Sequence, residues 1–233
     1  MPTELSTERC DIAVFARAPV AGRTKTRLVP MLGEVGAAAL HRALLWKTLH
    51  CAAEACAMDA GLGRIRLCCT PDIGHPEFGS CAAEFGVALE AQSDGDLGER
   101  MLTAFATSAS PLILVGTDCP VLTPQLLSRC AHELRQGRDA VFLPAEDGGY
   151  ALVGLRRAVP TVFQGMQWSA AEVMEETRAR LRCEGLSWSE PAIVWDVDRP
   201  QDVIRLIASG LLPEWQPIEE AQGGHTNAQV SSQ

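Results

Sequence analysis

Residues 11–27 read D-I-A-V-F-A-R-A-P-V-A-G-R-T-K-T-R, and this stretch decides the fold. Asp11 to Ala16 is an apolar run of strand length with no polar alternation, the pattern of a strand buried on both faces. Glu34 to Cys56, Ala/Leu-rich and poor in breakers, reads as a long helix. Strand, polar loop and helix in that order form the opening unit of a parallel α/β protein. Further apolar runs predict strands at Arg64 to Thr70, Val87 to Ala91, Pro111 to Gly116, Ala140 to Leu143, Ala151 to Leu155 and Ala192 to Val197. Helical patterns fall between them: Leu97 to Ser108, a segment capped by Thr123 with Pro124 in its first turn, and Pro200 to about Ala208. Ser169-Ala170-Ala171-Glu172 has the form of a capping box and predicts a helix from about 170 to Cys183, with Trp168 stapled on Val173. The alternation predicts a three-layer α/β/α sandwich with a mostly parallel sheet, one domain over 10–212. The polar stretch 219–233 is expected to be a disordered tail, and Leu211, Leu212 and Trp215 before it should dock on the core or on a second subunit, so an oligomer is possible.

The chain has 233 residues, 47% of them hydrophobic, and a formal net charge of −9. Composition and length suit a folded domain with a real core. Acidity argues against nucleic acid as a partner. No apolar run reaches the roughly 20 residues of a membrane span, and the polar N-terminus does not read as a targeting peptide. The nine cysteines form no C-x-x-C pair and several lie inside apolar runs, which fits small buried hydrophobes in a reducing, cytoplasmic setting.

The charge is unevenly divided. Arg17, Arg23, Lys25 and Arg27 give residues 17–27 a charge of +4, leaving −13 for the rest. Such a cluster on an acidic protein suits a small anion, although a solvated basic loop has the same composition. Gly22 allows tight turning, and cations two apart can converge on a diphosphate. Neither a Walker loop nor G-x-G-x-x-G is present.

Ligands of open α/β sheets sit beyond the carboxyl ends of the strands, and the unusual residues lie in those loops. Asp118, in G-T-D-C-P, ends an apolar strand, where a carboxylate either holds a divalent ion with substrate phosphates or caps a local turn. Asp196 and Asp198, two apart in W-D-V-D, would share a face if extended; Asp198 and Asp202 also suit the N-terminus of the last helix. Asp147, Gly148 and Gly149 lie in A-E-D-G-G-Y: the glycines permit close backbone approach and the acid could serve as a base, or the segment is a solvated hairpin turn. Asp96 suits a helix cap, and Arg100 beyond it could reach an anion.

In this order, F-A-R-A-P-V-A-G-R-T-K-T-R-L, G-D-L-G-E-R, G-T-D-C-P-x-L-T-P, A-E-D-G-G-Y, W-S and D-V-D-x-P-x-D closely resemble a bacterial family of nucleotide-diphospho-sugar transferase-like proteins, those labelled arsenosugar-biosynthesis-type glycosyltransferases or radical-SAM/selenodomain-associated transferases. More distantly the chain is similar to phospholactate and molybdenum-cofactor guanylyltransferases. The resemblance runs from about Ile12 to Ile207. It implies a glycosyltransferase-A fold, Rossmann-like with a mixed sheet, and a cytoplasmic enzyme using Mg²⁺ or Mn²⁺. The reaction it implies is transfer from a nucleotide sugar to a small-molecule acceptor. Arg17, Arg23, Lys25, Arg27, Arg100, Gly148 and Gly149 would bind substrate and Asp147 would act on the acceptor. Asp118 would hold the metal; because the motif is G-T-D and not a full D-x-D, its partner would be Asp198, with Asp196 behind it. Arg199 stands where a small capping residue is usual. The alternatives are nucleotidyl transfer from an NTP to a phosphorylated acceptor, and a non-catalytic nucleotide-binding module.

Overall fold

The computed structural model describes residues 9–168 and 170–217. The opening stretch is β1 (Cys10–Arg17), followed by a loop, a 3₁₀ turn at Thr26–Leu28 and α1 (Val29–Met58). There follow β2 (Leu62–Thr70), α2 (Pro76–Phe85), β3 (Ala88–Ala91), α3 (Leu97–Ala106), β4 (Leu112–Gly116), α4 (Pro124–Arg135), β5 (Ala140–Pro144), β6 (Tyr150–Leu155), α5 (Pro160–Phe163), α6 (Val173–Cys183), β7 (Trp188–Ser189) and α7 (Pro200–Ser209). Among the described residues the strands form one seven-stranded sheet of order β3-β2-β1-β4-β6-β5-β7. All neighbours are parallel except at β6, which runs against β4 and β5. This is the mixed, mostly parallel three-layer sandwich that the sequence predicts.

The two faces bury different cores. Ile12, Val14, Leu67, Ile113 and Val141 pack with α1, α2 and α4 residues such as Leu45, Phe78 and Leu127. Ala13, Leu114, Phe142 and Val153 face Met101, Phe105, Phe163 and Leu181 of the opposite helix layer. A third cluster joins Leu28, Leu40 and Leu44 to Trp195, Val203, Leu206 and Trp215. Trp215 therefore docks on its own chain's core, with Leu211 and Leu212 packed against the same cluster. By length and apolar composition the helix Thr26–Met58 is long enough to cross a membrane. Its Leu40, Leu44, Leu45 and Leu49 are instead buried inside the protein.

Local signals account for most boundaries. Asp96 and Glu99 close a reciprocal capping box at α3, with bonds of 2.9 and 2.8 Å. Thr123 accepts from Leu126 N–H, with Pro124 in the first turn of α4. The long helix breaks at Gly33 (φ 66, ψ 169), so its regular part begins where the Ala/Leu pattern begins. Helix α2 lacked a strong apolar stripe and was not expected; Pro76, Glu77 and the left-handed Gly86 frame it.

One expected strand is absent among the described residues, and one helix starts later than expected. The predicted last strand, Ala192 to Val197, reduces to a single bridge between Val194 and Ala145, and β7 lies earlier at Trp188–Ser189. Pro191 lacks a donor, while Trp195 and Val197 turn away from the sheet into the α1–α7 cluster. Helix α6 starts at Val173, with Glu172 as an N-cap making no side-chain bond. The Ser169 half of the expected capping box lies outside the described residues.

Candidate active site

Strands β1 to β5, except where β6 enters by its start, bring their carboxyl ends to one edge of the sheet. There the loop after β1 crosses above the loop after β4. Lys25 adopts a left-handed conformation, φ 50, and buries its side chain to 4% exposure. Its ammonium lies 2.8 Å from Asp118 Oδ1 and also donates to the Val197 carbonyl. Asp118 keeps 44% of its side chain exposed although Oδ1 is fully covered, so Oδ2 is the open oxygen. Burial alone would raise the Asp118 carboxyl; Lys25, His41 and Thr117 outweigh it and hold the group below the usual carboxylate range. His41 donates from Nε2 to the Arg17 carbonyl at 2.9 Å, and burial lowers its own affinity for a proton.

The other loop cations diverge from Lys25. Arg27 forms a rim ion pair with Asp198. Arg17 and Arg23 are exposed and make no ion pair among the described residues. The four cations are therefore not one equivalent cluster. Two clasp acids across the loops, and two remain open to an anion.

Asp118 opens on a cleft of about 230 Å³ between α3 and α6, also lined by Asp147 and Asp196. Asp198, the expected metal partner, does not line it. The segment is not an extended strand there, so the two-residue periodicity fails and Asp198 turns to Arg27 at the rim. Asp196 is the acid that faces inward. Burial, then Asp147 and Asp118, push its carboxyl up to about 6.

The β5–β6 turn carries Asp147, whose Oδ1 accepts from Gly149 N–H at 2.9 Å. Gly149 lines the cleft. Gly148 serves packing instead: at φ 93, an added Cβ would sit 1.8 Å from the Ala171 carbonyl oxygen, and its own carbonyl accepts from Met174 N–H. Arg100 lies outside this cleft and lines a second groove of about 360 Å³ over β1–β3 with Arg66, Glu90, Gln92 and Thr103. Arg100 donates to the Gly95 carbonyl at 3.0 Å. Phe15, at the end of β1, borders both cavities. Gln92, absent from the sequence reading, ties β3 to β2 through the Cys68 carbonyl at 2.8 Å. Its only advance signal was its place after a strand end.

Among the described residues no three His, Cys, Asp or Glu side chains form a preformed metal cage. Asp118 and Asp196 nevertheless fit a divalent ion. Hard oxygen donors meet in an acid-rich cleft where burial, and then the neighbouring carboxylates, oppose ionisation of Asp196, and Mg²⁺-type sites take their remaining ligands from water and substrate phosphate. All nine cysteines are free thiols, and burial pushes that of Cys119, which borders the cleft, up to about 11.

This sheet order with an acid-lined cleft at the strand ends defines a chain of transferase architecture, that of nucleotide-diphospho-sugar transferases and nucleotidyltransferases. It belongs to the family described as uncharacterized proteins conserved in bacteria (DUF2064), which matches residues 53–170. A crystal structure from Desulfovibrio desulfuricans G20, provisionally described as a nucleotide-diphospho-sugar transferase, is 30% identical with a TM-score of 0.75, over 86% of this chain and 87% of that one. CMP:2-keto-3-deoxy-manno-octonic acid synthetase with CTP matches at 14% identity and TM-score 0.56, over 86% and 98% of the two chains. Glucosyl-3-phosphoglycerate synthase from Mycobacterium tuberculosis, with Mn²⁺, UDP and glucosyl-3-phosphoglycerate, matches at 9% and 0.50, over 88% and 77%. The last two likenesses are of fold alone. No curated protein matches the sequence.

Proposed function

We propose that the chain is a metal-dependent transferase that moves a sugar from a nucleotide diphosphate to a small-molecule acceptor. The observation that carries this is the meeting of Asp118, Asp147 and Asp196 in one cleft, with Lys25 of the basic loop 2.8 Å from Asp118. Arg17 and Arg23 bind the diphosphate from the loop, and Lys25 holds Asp118 in position while presenting its own charge at the boundary between phosphate and acid. Asp118 and Asp196 would hold Mg²⁺ or Mn²⁺, in place of the Asp118–Asp198 pair that the sequence favoured, and the chemistry supplied there would be neutralisation of charge on the leaving diphosphate. Asp147, exposed on its turn and beside Asp196, orients the acceptor hydroxyl and takes its proton. The Mn²⁺- and UDP-bound fold relative supports a divalent ion and a nucleotide diphosphate.

A second reading keeps the site and moves a nucleotidyl group from an NTP, with pyrophosphate leaving past the same loop. The CTP-bound relative favours it. Thermal shifts with UDP-, GDP-, ADP- and TDP-sugars and with NTPs, each with and without Mn²⁺, separate the two. Nucleotide sugars should raise Tm in a Mn²⁺-dependent way, by about 3 kcal/mol of linkage at a hundredfold excess over Kd. A response to NTPs alone would favour nucleotidyl transfer, and no response at all would overturn both. Asp118→Ala should abolish turnover and its metal dependence; full activity in that variant would remove the metal assignment.

A further inference from the structure

The two cavities that meet at Phe15 differ in chemistry. The groove over β1–β3 is bordered by Arg66, Glu90, Gln92, Ser93, Arg100 and Thr103. The cleft over β4–β6 has polar groups at its acid end, and the rest of its wall is apolar: Phe15, Leu97, Met101, Tyr150, Trp168 and Val173. Tyr150 and Trp168 meet edge to face with ring centroids 6.5 Å apart. The Tyr150 hydroxyl and the Trp168 indole N–H are buried without protein partners, so neither adds a polar contact at the cleft surface. Trp168 is held by Gly98, where even a methyl would come within 2.7 Å of the indole. At the mouth, Leu97 remains 42% exposed.

A polyol filling this cleft would bury several hydroxyls against carbon, and a buried hydroxyl left without a partner is unfavourable. An apolar body loses nothing there. The volume, about 230 Å³, is below the roughly 300 Å³ at which drug-sized pockets begin, so it suits about one ring or a short branched chain. On the reading that the chain is a nucleotide-sugar transferase, we propose that its acceptor is a compact amphiphilic alcohol. Its aromatic or aliphatic body lies against Phe15, Tyr150 and Trp168, and its single hydroxyl lies at the acid end. In the transfer the hydroxyl proton passes to the Asp147 carboxylate as the acceptor oxygen bonds to the anomeric carbon. The bond from that carbon to the diphosphate oxygen breaks, and the nucleoside diphosphate leaves with the electron pair.

The test compares 2-phenylethanol with myo-inositol as probes, by saturation-transfer NMR on the full chain with Mn²⁺ and UDP or GDP. The aromatic alcohol should bind and the polyol should not. Trp168→Ala should weaken the alcohol by about tenfold, which is 1.4 kcal/mol, and Trp168→Phe should restore most of it. The Tm shift given by the nucleotide should be the same in all three proteins, which shows that the variants are folded. Equal or better binding of myo-inositol would overturn the proposal, as would no binding of 2-phenylethanol or an affinity indifferent to Trp168→Ala. Failure of every nucleotide to shift Tm would instead sink the transferase reading, because the two probes report on the cleft without any donor.

Discussion

At the scale of single residues, charge number says less than charge placement. Lys25 is one of four cations in an eleven-residue window, yet its αL backbone and 4% exposure make it a partner of Asp118, not a free phosphate ligand. Asp196 shows the converse, a carboxylate whose ionisation the fold opposes. Its carboxyl stands at about 6 against 3.8 for an unperturbed aspartate, so the folded state holds the proton more tightly than the unfolded one. Its contribution is therefore most favourable below pH 3.8 and declines as pH rises to about 6. Asp196→Asn should flatten this decline, making the ligand-free protein more stable at pH 7 by about 1 kcal/mol. Tm measured between pH 4 and pH 8 for both proteins checks it; parallel profiles would mean that Asp196 is not strained. Mn²⁺ should stabilise the wild type more at pH 7 than at pH 5, because protons compete for the same oxygen. Gly148 offers a sharper result. Gly148→Ala combines a left-handed φ with a backbone clash at Ala171 and should cost about 3 kcal/mol in urea unfolding.

At the scale of elements, sequence legibility followed local physics. Strands β1 and β4 were readable because burial on both faces leaves an unbroken apolar run, and α3 and α4 because their caps are written in consecutive residues. The segment 192–197 has the same apolar appearance, but its Trp195 and Val197 serve a helix–helix cluster and not a ladder, a destination set by α1 and α7 far away in sequence. Assumed extension put Asp196 and Asp198 on one face with Asp198 preferred as the metal partner, whereas in the fold only Asp196 lines the cleft. The edge-of-sheet rule points to the loops of Asp118 and Asp147, which line one cleft, and to Lys25, which pairs with Asp118, whereas the aromatic lining from Phe15 and Trp168 has no spacing that could reveal it. The capping box at α3 allows a clean measurement. Asp96→Ala should lower stability by about 1 kcal/mol through loss of the bond to Glu99 N–H. Because Asp96 does not line the cleft, nucleotide-induced Tm shifts should persist in that variant.

At the scale of the whole molecule, an acidic protein sets one loop of four cations against a cleft lined by carboxylates from three separate segments. Those segments are the loop after β4, the turn after β5 and the chain before α7. Two latches tie the first and the last of these to the basic loop: Lys25 to Asp118, largely buried, and Arg27 to Asp198, at the surface. Arg27→Ala should change stability by less than about 0.5 kcal/mol, since exposed ion pairs are worth little, and chemical denaturation would reveal a larger role.

The antiparallel setting of β6 has an evolutionary consequence. A parallel neighbour would need a helix-length return across the sheet, whereas β6 is entered from β5 by the short turn 145–149. Insertions in that turn could reshape the wall beside Asp147 while strand order and the groove over β1–β3 stay as they are. Relatives with one donor and divergent acceptors should therefore differ first in the length of this hairpin.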